Sequence, residues 1–182
     1  MPKSERTAAI LVAAGRGLRA GGGGPKQYRE IGGQPVIFRA MAVFCRHPDI
    51  FAVQPVVNPD DASIFSQAVE GLRHRPPTNG GATRQASVHA GLEALASSKP
   101  DIVLIHDAAR PFVTAAVISR AIEAAGRTGA AVPAIPVTDT IKQVGDTGNV
   151  EATPERARLR IAQTPQAFRF DVILDAHRRA AR

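Results

Sequence analysis

Between Gly15 and Gly24 the chain carries six glycines, with Arg19 inside the run and Lys26 just beyond it. Glycines let a backbone curl its N–H groups inward, where they hydrogen-bond phosphate oxygens. Arginine and lysine add cationic donors for the non-bridging oxygens. The run AAGRGLRA, from Ala13 to Ala20, is therefore read as a phosphate-binding loop, with Ala13, Ala14, Gly15, Arg16 and Gly17 supplying backbone groups. It is not a P-loop, because no G-K-[ST] follows. The dinucleotide fingerprint is met only in part, since its third glycine position holds Ala20, which that pattern tolerates.

A second candidate is Asn79-Gly80-Gly81 followed by Arg84 and Ser87. A tight turn running into a helix start presents free N–H groups, and the two side chains add polar ends. A third is HDAARP, from His106 to Pro111, directly after the apolar run IVLI. Charged groups at the carboxyl end of a parallel strand fall where open α/β sheets bind ligands. Asp107 could hold a divalent cation bridging phosphates and Arg110 could grip a second anion, or the two could simply pair. His106 reads as a hydrogen-bonding support. DTIK (Asp139–Lys142), Arg156 and TPQ (Thr164–Gln166) gain meaning only if the chain folds them over the same pocket.

The positioning elements are short. Thr7–Ala14 is a buried parallel strand ending at glycines, and Val36–Cys45 has a helical apolar pattern. Phe51–Val57 is the next strand, with Pro55 counting against a central place in a sheet. Asp60 or Asp61 is expected to cap a helix to about Leu72. Pro76–Ala82 reads as a loop, and Thr83 or Arg84 begins a helix through Ala96. Ile102–Ile105 is a strand, and Thr114 caps a helix ending near Gly126. Gly129–Ile135 resembles a core strand, Pro136–Arg160 a polar arm or flap, and Phe168–Ala181 a final helix after Ala162–Ala167 returns to the sheet. Alternating apolar strands and helices predict an α/β sheet covered on both faces.

Composition fits this: 44% hydrophobic and 21% charged residues are ordinary for a globular chain of 182 residues. The net charge of +7 permits nucleic acid, an anionic membrane surface or small phosphorylated ligands without choosing among them, though aromatics, at 4% with no Trp, are too sparse for a base-stacking surface. The single cysteine, Cys45, precludes an intrachain disulfide or a thiolate cluster. With no secretory signal or membrane-length apolar run, the cytoplasm is the expected compartment.

Taken in order, AAGRGLR then PKQY, GGATRQASVHAGL, IHDAARPF, DTIK and TPQAF resemble the 2-C-methyl-D-erythritol 4-phosphate cytidylyltransferases of the non-mevalonate isoprenoid pathway. The resemblance implies one Rossmann-like nucleotidyltransferase domain of three layers over residues 1–182, with a protruding arm at 136–160 that helps form a homodimer. It implies transfer of CMP from CTP to a methylerythritol phosphate, with Mg²⁺ as cofactor and no membrane or nucleic-acid partner. Arg19 and Lys26 match the catalytic cations. Ala13 to Gly17, Gly80, Gly81, Arg84 and Ser87 match the nucleotide site, and Asp107 matches the acidic position near the metal. Arg110, Thr140, Arg156 and Thr164 match positions around the acceptor, Arg156 reaching across the dimer. A related enzyme acting on a pentitol phosphate such as ribitol 5-phosphate is the nearest rival. The family pattern continues past this stretch with further residues, so the chain is expected to be the leading part of a longer protein, in some bacteria fused to a cyclodiphosphate synthase.

Overall fold

The computed structural model describes residues 5–15 and 24–181. Arg16, Gly17 and Arg19 lie outside the described residues. The central sheet has six strands in the order β5-β4-β1-β6-β12-β7. These are β1 (Thr7–Ala13), β4 (Ile50–Val57), β5 (Thr78–Asn79), β6 (Ile102–Asp107), β7 (Ala130–Ala131) and β12 (Gln166–Arg169). β5, β4, β1 and β6 run parallel, and β12 is antiparallel to both β6 and β7. A small hairpin of β2 (Glu30–Ile31) and β3 (Gln34–Pro35) precedes α1 (Val36–Cys45).

Alternation along β1 explains why the sheet is covered twice. Ala9, Leu11 and Ala13 pack on one side with Ile37, Met41 and Phe44 of α1, Phe65 of α2 (Ala62–Ala68) and Ile118 of α4 (Ala115–Thr128). Ala8 and Ile10 pack on the other with Val88, Leu92 and Leu95 of α3 (Arg84–Leu95) and Phe170 and Leu174 of α5 (Phe170–Ala180). β1 thus buries both of its faces, worth roughly 1.5–3 kcal/mol per fully buried large aliphatic side chain. Small residues set the spacing. A Cβ on Gly91 would lie 2.8 Å from Ile10 and 2.9 Å from Val56, so only glycine lets α3 seat this closely on the sheet.

The helix starts follow their caps. The Thr83 side chain accepts from the Ala86 N–H, and the Thr114 side chain from the Val117 N–H. Pro55 does sit inside β4, next to β1, because β5 pairs with β4 only at Val56 and Val57. The Pro55 carbonyl accepts instead from the Gln54 side-chain amide at 3.0 Å, which also donates to Pro76 O at 2.9 Å.

Several expectations are corrected. The helix foreseen from Asp60 or Asp61 to Leu72 is only Ala62–Ala68, and Asp61 makes no side-chain cap; Asn58 instead caps a 3-10 turn at Pro59–Asp61. Gly129–Ile135 is not one core strand. Only Ala130–Ala131 joins the main sheet, and after Pro133 the chain leaves as β8 (Ala134–Pro136), paired with β11 (Arg160–Ala162). A proline cannot donate to a ladder, so the break falls there. The excursion therefore spans 134–162 and carries a second ribbon of β9 (Gln143–Val144) and β10 (Val150–Ala152). Phe168 belongs to β12, and the last helix begins at Phe170.

Candidate active site

The chain runs from β1 outward through β4 to β5, then returns to β6 on the opposite side of β1. That reversal opens a crevice at the carboxyl ends of β1 and β6, the place where such sheets bind ligands. Three separate stretches converge there.

Just past β1, the backbone is held by Gln27, which is 3% exposed and donates its side-chain amide to Ala13 O at 2.7 Å and Gly15 O at 3.2 Å. Gln27 lies in a 3-10 turn, Lys26–Tyr28, that buries Gln27 and Tyr28 and leaves Lys26 facing outward. Burial pushes the Tyr28 phenol well above its ordinary range, so it stays neutral. Sequence reasoning treated Gln27 only as part of PKQY. Its signal was a polar residue between the turn-forming proline and the one tyrosine.

The second stretch closes on the first. The Gly80 N–H donates to Val57 O at 2.8 Å, and a Cβ on Gly80 would collide with the Ala14 Cβ and come within 2.9 Å of Ser87 Oγ. The Gly81 N–H donates to Ser87 Oγ at 3.1 Å, and that hydroxyl donates to Thr83 O at 2.9 Å. Ala14, Gly80, Gly81 and Ser87 are thus one packed unit at the N-terminus of α3.

The third stretch begins with the last two residues of β6, His106 and Asp107, where the sequence had suggested a strand ending at Ile105. Asp107 takes Arg84 Nε on one carboxylate oxygen at 3.0 Å and Arg110 Nε on the other at 3.1 Å. The Arg110 guanidinium also donates to Gln163 Oε1 at 2.7 Å. His106 is fully buried against Phe44, ring centroids 4.9 Å apart. Its Nε2 lies 3.0 Å from Arg110 O and its Nδ1 2.8 Å from Thr164 Oγ. Burial in this apolar setting lowers its pKa to about 4, outweighing the hydrogen bond to the Arg110 carbonyl and the nearby Asp107, so the imidazole is neutral. Cys45, by contrast, is pushed up to about 11 by burial and supplies no thiolate at neutral pH.

Lys26, Arg110, Gln163 and Thr164 line a cavity of about 1050 Å³, whose remaining walls are largely apolar, among them Val117 and Ile135. Asp107 stands between this cavity and the Gly80–Ser87 unit, tied to Arg84 on one side and Arg110 on the other. Of the expected residues, the fold gathers Ala13, Ala14, Gly15, Lys26, Gly80, Gly81, Arg84, Ser87, Asp107, Arg110 and Thr164 around the crevice. Thr140 and Arg156 do not join them within one chain. Arg156 donates to Thr138 O at 2.9 Å in the arm, and Thr140 is exposed there.

Among the described residues no group of three or more His, Cys, Asp or Glu could hold a metal ion on its own. One carboxylate beside a cluster of anion-binding donors does fit a magnesium ion carried in with phosphates, since Mg²⁺ uses one or two carboxylates plus phosphate oxygens.

A family model described as IspD: 2-C-methyl-D-erythritol 4-phosphate cytidylyltransferase matches residues 7–182. A bifunctional enzyme IspD/IspF of Bradyrhizobium diazoefficiens is 79% identical over the whole chain, which covers 46% of that protein. The chain thus spans about half the length of the curated relatives it matches. Among solved structures, the 4-diphosphocytidyl-2C-methyl-D-erythritol synthase of Anaerococcus prevotii superposes with a TM-score of 0.86 at 30% identity, covering 98% of this chain and 76% of that one. The 2-C-methyl-D-erythritol 4-phosphate cytidylyltransferase of Thermus thermophilus gives 0.74 at 35% identity, with 96% and 76% covered.

Proposed function

Since the chain belongs to the 2-C-methyl-D-erythritol 4-phosphate cytidylyltransferase family, we propose that it transfers CMP from CTP to 2-C-methyl-D-erythritol 4-phosphate, releasing pyrophosphate. The observation that carries this reading is the meeting of Lys26, Arg110 and Thr164, from three distant stretches, on one cavity beside Asp107.

An oxygen of the acceptor's phosphate attacks the α-phosphorus of CTP, forming the new P–O bond as the bond to the β-phosphate breaks. With a second pKa of about 6, a phosphate monoester is already anionic at neutral pH. A dedicated general base is unnecessary. The difficulty is bringing two anions together, which preorganised cations relieve. Arg19 and Lys26 fill that role, and the backbone of Ala13, Ala14, Gly15, Arg16 and Gly17 cradles the triphosphate. Gly80, Gly81, Arg84 and Ser87 form the cytidine side, while Arg110, Thr140, Arg156 and Thr164 form the acceptor side. Asp107 is the residue that would hold Mg²⁺, whose contribution is to neutralise phosphate charge; the ion would compete with Arg84 and Arg110 for the carboxylate.

The arm makes the homodimer. Ile135, Ile141, Val144, Val150 and Ile161 on it are 40–58% exposed, apolar surface that a second copy would cover. The partner's arm would then bring Arg156 and Thr140 to the acceptor side. The cytoplasm is the compartment of such a reaction, and no helix among the described residues is long and apolar enough to cross a membrane.

Incubating the protein with CTP, Mg²⁺ and the acceptor, while measuring pyrophosphate, tests the reading. Release with methylerythritol phosphate and not with ribitol 5-phosphate is expected. Release with ribitol 5-phosphate alone would transfer the activity to a pentitol phosphate, and none with either would remove it.

A further inference from the structure

The Arg110 side chain is long and half-exposed, and its own turn restrains it at one point only: Nε donates to Asp107 Oδ2 at 3.1 Å. The second restraint comes from 53 residues further along the chain, where Nη1 donates to Gln163 Oε1 at 2.7 Å. Gln163 stands at the foot of the arm. β8 and β11 pair at Pro136–Arg160, Ile135–Ile161 and Ala134–Ala162. The Gln163 N–H then donates to Pro133 O at 2.7 Å, one rung closer to the core. That rung fixes the backbone from which the Gln163 side chain reaches across. Arginine only donates, so the amide must turn its oxygen toward the guanidinium. With Nε and Nη1 held, the Nη2 group has no partner among the described residues, and Arg110 lines the cavity.

We propose that Gln163 is a positioning residue, through which the foot of the arm holds the Arg110 guanidinium ready for the phosphate of the acceptor substrate. This rests on the reading that the cavity receives a phosphorylated polyol. An arginine side chain has high rotamer entropy, and two anchor points remove that freedom on folding instead of on binding. The two anchors differ in charge. Asp107 orients the guanidinium but offsets part of its charge, whereas a neutral amide orients it and leaves the attraction for an incoming anion intact. The arrangement also joins two parts of the fold that share no sheet: the Asp107–Arg110 turn after β6, and the ribbon that carries Arg156 and Thr140. A change in the ribbon at Pro133 or Gln163 is therefore felt at Arg110.

Gln163→Met keeps the length of the side chain and the backbone rung to Pro133 but has no amide oxygen, so the melting temperature should hold. KM for the polyol phosphate should rise about tenfold, with kcat within about threefold and KM for CTP unchanged. Gln163→Ala, which withdraws the side chain altogether, should give the same pattern. The decisive comparison is a double-mutant cycle: in an Arg110→Leu background, adding Gln163→Met should change KM for the polyol phosphate by less than about twofold, because the group it positions is gone. Inorganic phosphate, titrated into the free protein and followed by ³¹P NMR, reads the same link without turnover. Its complex should weaken in Arg110→Leu, and by about tenfold in Gln163→Met. An unchanged KM in Gln163→Met, equal rises in KM for CTP and acceptor, or a full additional penalty in the Arg110→Leu background would each overturn the proposal. So would a phosphate complex weakened by Arg110→Leu but indifferent to Gln163→Met. Absence of cytidylyl transfer to any acceptor would instead defeat the functional reading, while the phosphate titrations still decide whether Gln163 positions Arg110.

Discussion

Lys26 owes its place to its neighbours. Gln27 and Tyr28 are buried and pull the 3-10 turn onto the core, leaving the lysine to face the cavity. Removing the ammonium should not disturb that anchoring. Taking an oxyanion-hole donor as the scale, about 3–4 kcal/mol of transition-state stabilisation would go. Lys26→Ala should therefore lower kcat by at least about a hundredfold with an unchanged melting temperature. Steady-state rates within threefold of the parent would remove Lys26 from the chemistry. Gln27→Ala is its complement. It strips the carbonyls of Ala13 and Gly15 of their side-chain donor, and should cost about 1–3 kcal/mol of stability in urea unfolding. A loss under about 0.5 kcal/mol would mean water replaces the amide without penalty.

At the scale of elements, α3 and α4 start with the same device, a threonine side chain accepting from the N–H three residues on. Thr83→Ala and Thr114→Ala should each cost about 1 kcal/mol. Only the first should also raise KM for CTP, because α3 begins at Arg84 beside the Gly80–Gly81 turn, whereas α4 begins away from it. Equal effects on KM from both would detach the α3 start from the nucleotide. The contact of α5 with α3 carries a pH dependence. His89 and His177 stack at 5.9 Å, with Glu93 near His89 and paired to Arg178. Burial first, then repulsion from His89, lowers the His177 pKa below 6.5. The unfolded chain therefore takes up the proton first as pH falls. Stability present above about pH 6.5 is lost progressively below it. Urea midpoints should fall from pH 7.5 to 5, buried His106 contributing in the same direction, and His177→Asn should reduce that slope without abolishing it; an unchanged slope would remove His177 from the titration.

For the whole molecule, the proposed dimer makes the arm the element to test. Val144 and Val150 are each 58% exposed and face each other across β9 and β10. Replacing both by lysine removes little burial from the single chain, so its melting temperature as a monomer should hold. Apolar surface that a partner would cover becomes charged instead. On the proposed dimer, sedimentation should show a dimeric parent and a monomeric variant, with activity falling if Arg156 and Thr140 act from the second copy. A dimer that survives both lysines would move the interface off this ribbon.

The strands beginning at Thr7 and Ile102 and the capped helices at Arg84 and Ala115 were legible in the sequence, because buried parallel strands are short unbroken apolar runs and caps are local chemistry, although the second strand runs on past Ile105 to Asp107. So were the charged clusters that gather at the crevice, since each sits where a strand or turn ends. What periodicity did not reach was decided over long separations. Pro55 entered β4 because its outer neighbour pairs only beyond it. Gly129–Ile135 divided between two sheets at Pro133, and Gln27 proved to be an anchor through carbonyls 12 and 14 residues away. The meeting of Thr164 Oγ with the buried His106 ring, 2.8 Å apart and 58 residues distant in sequence, is likewise set by the fold alone, since such a contact depends on how β6 and β12 pair.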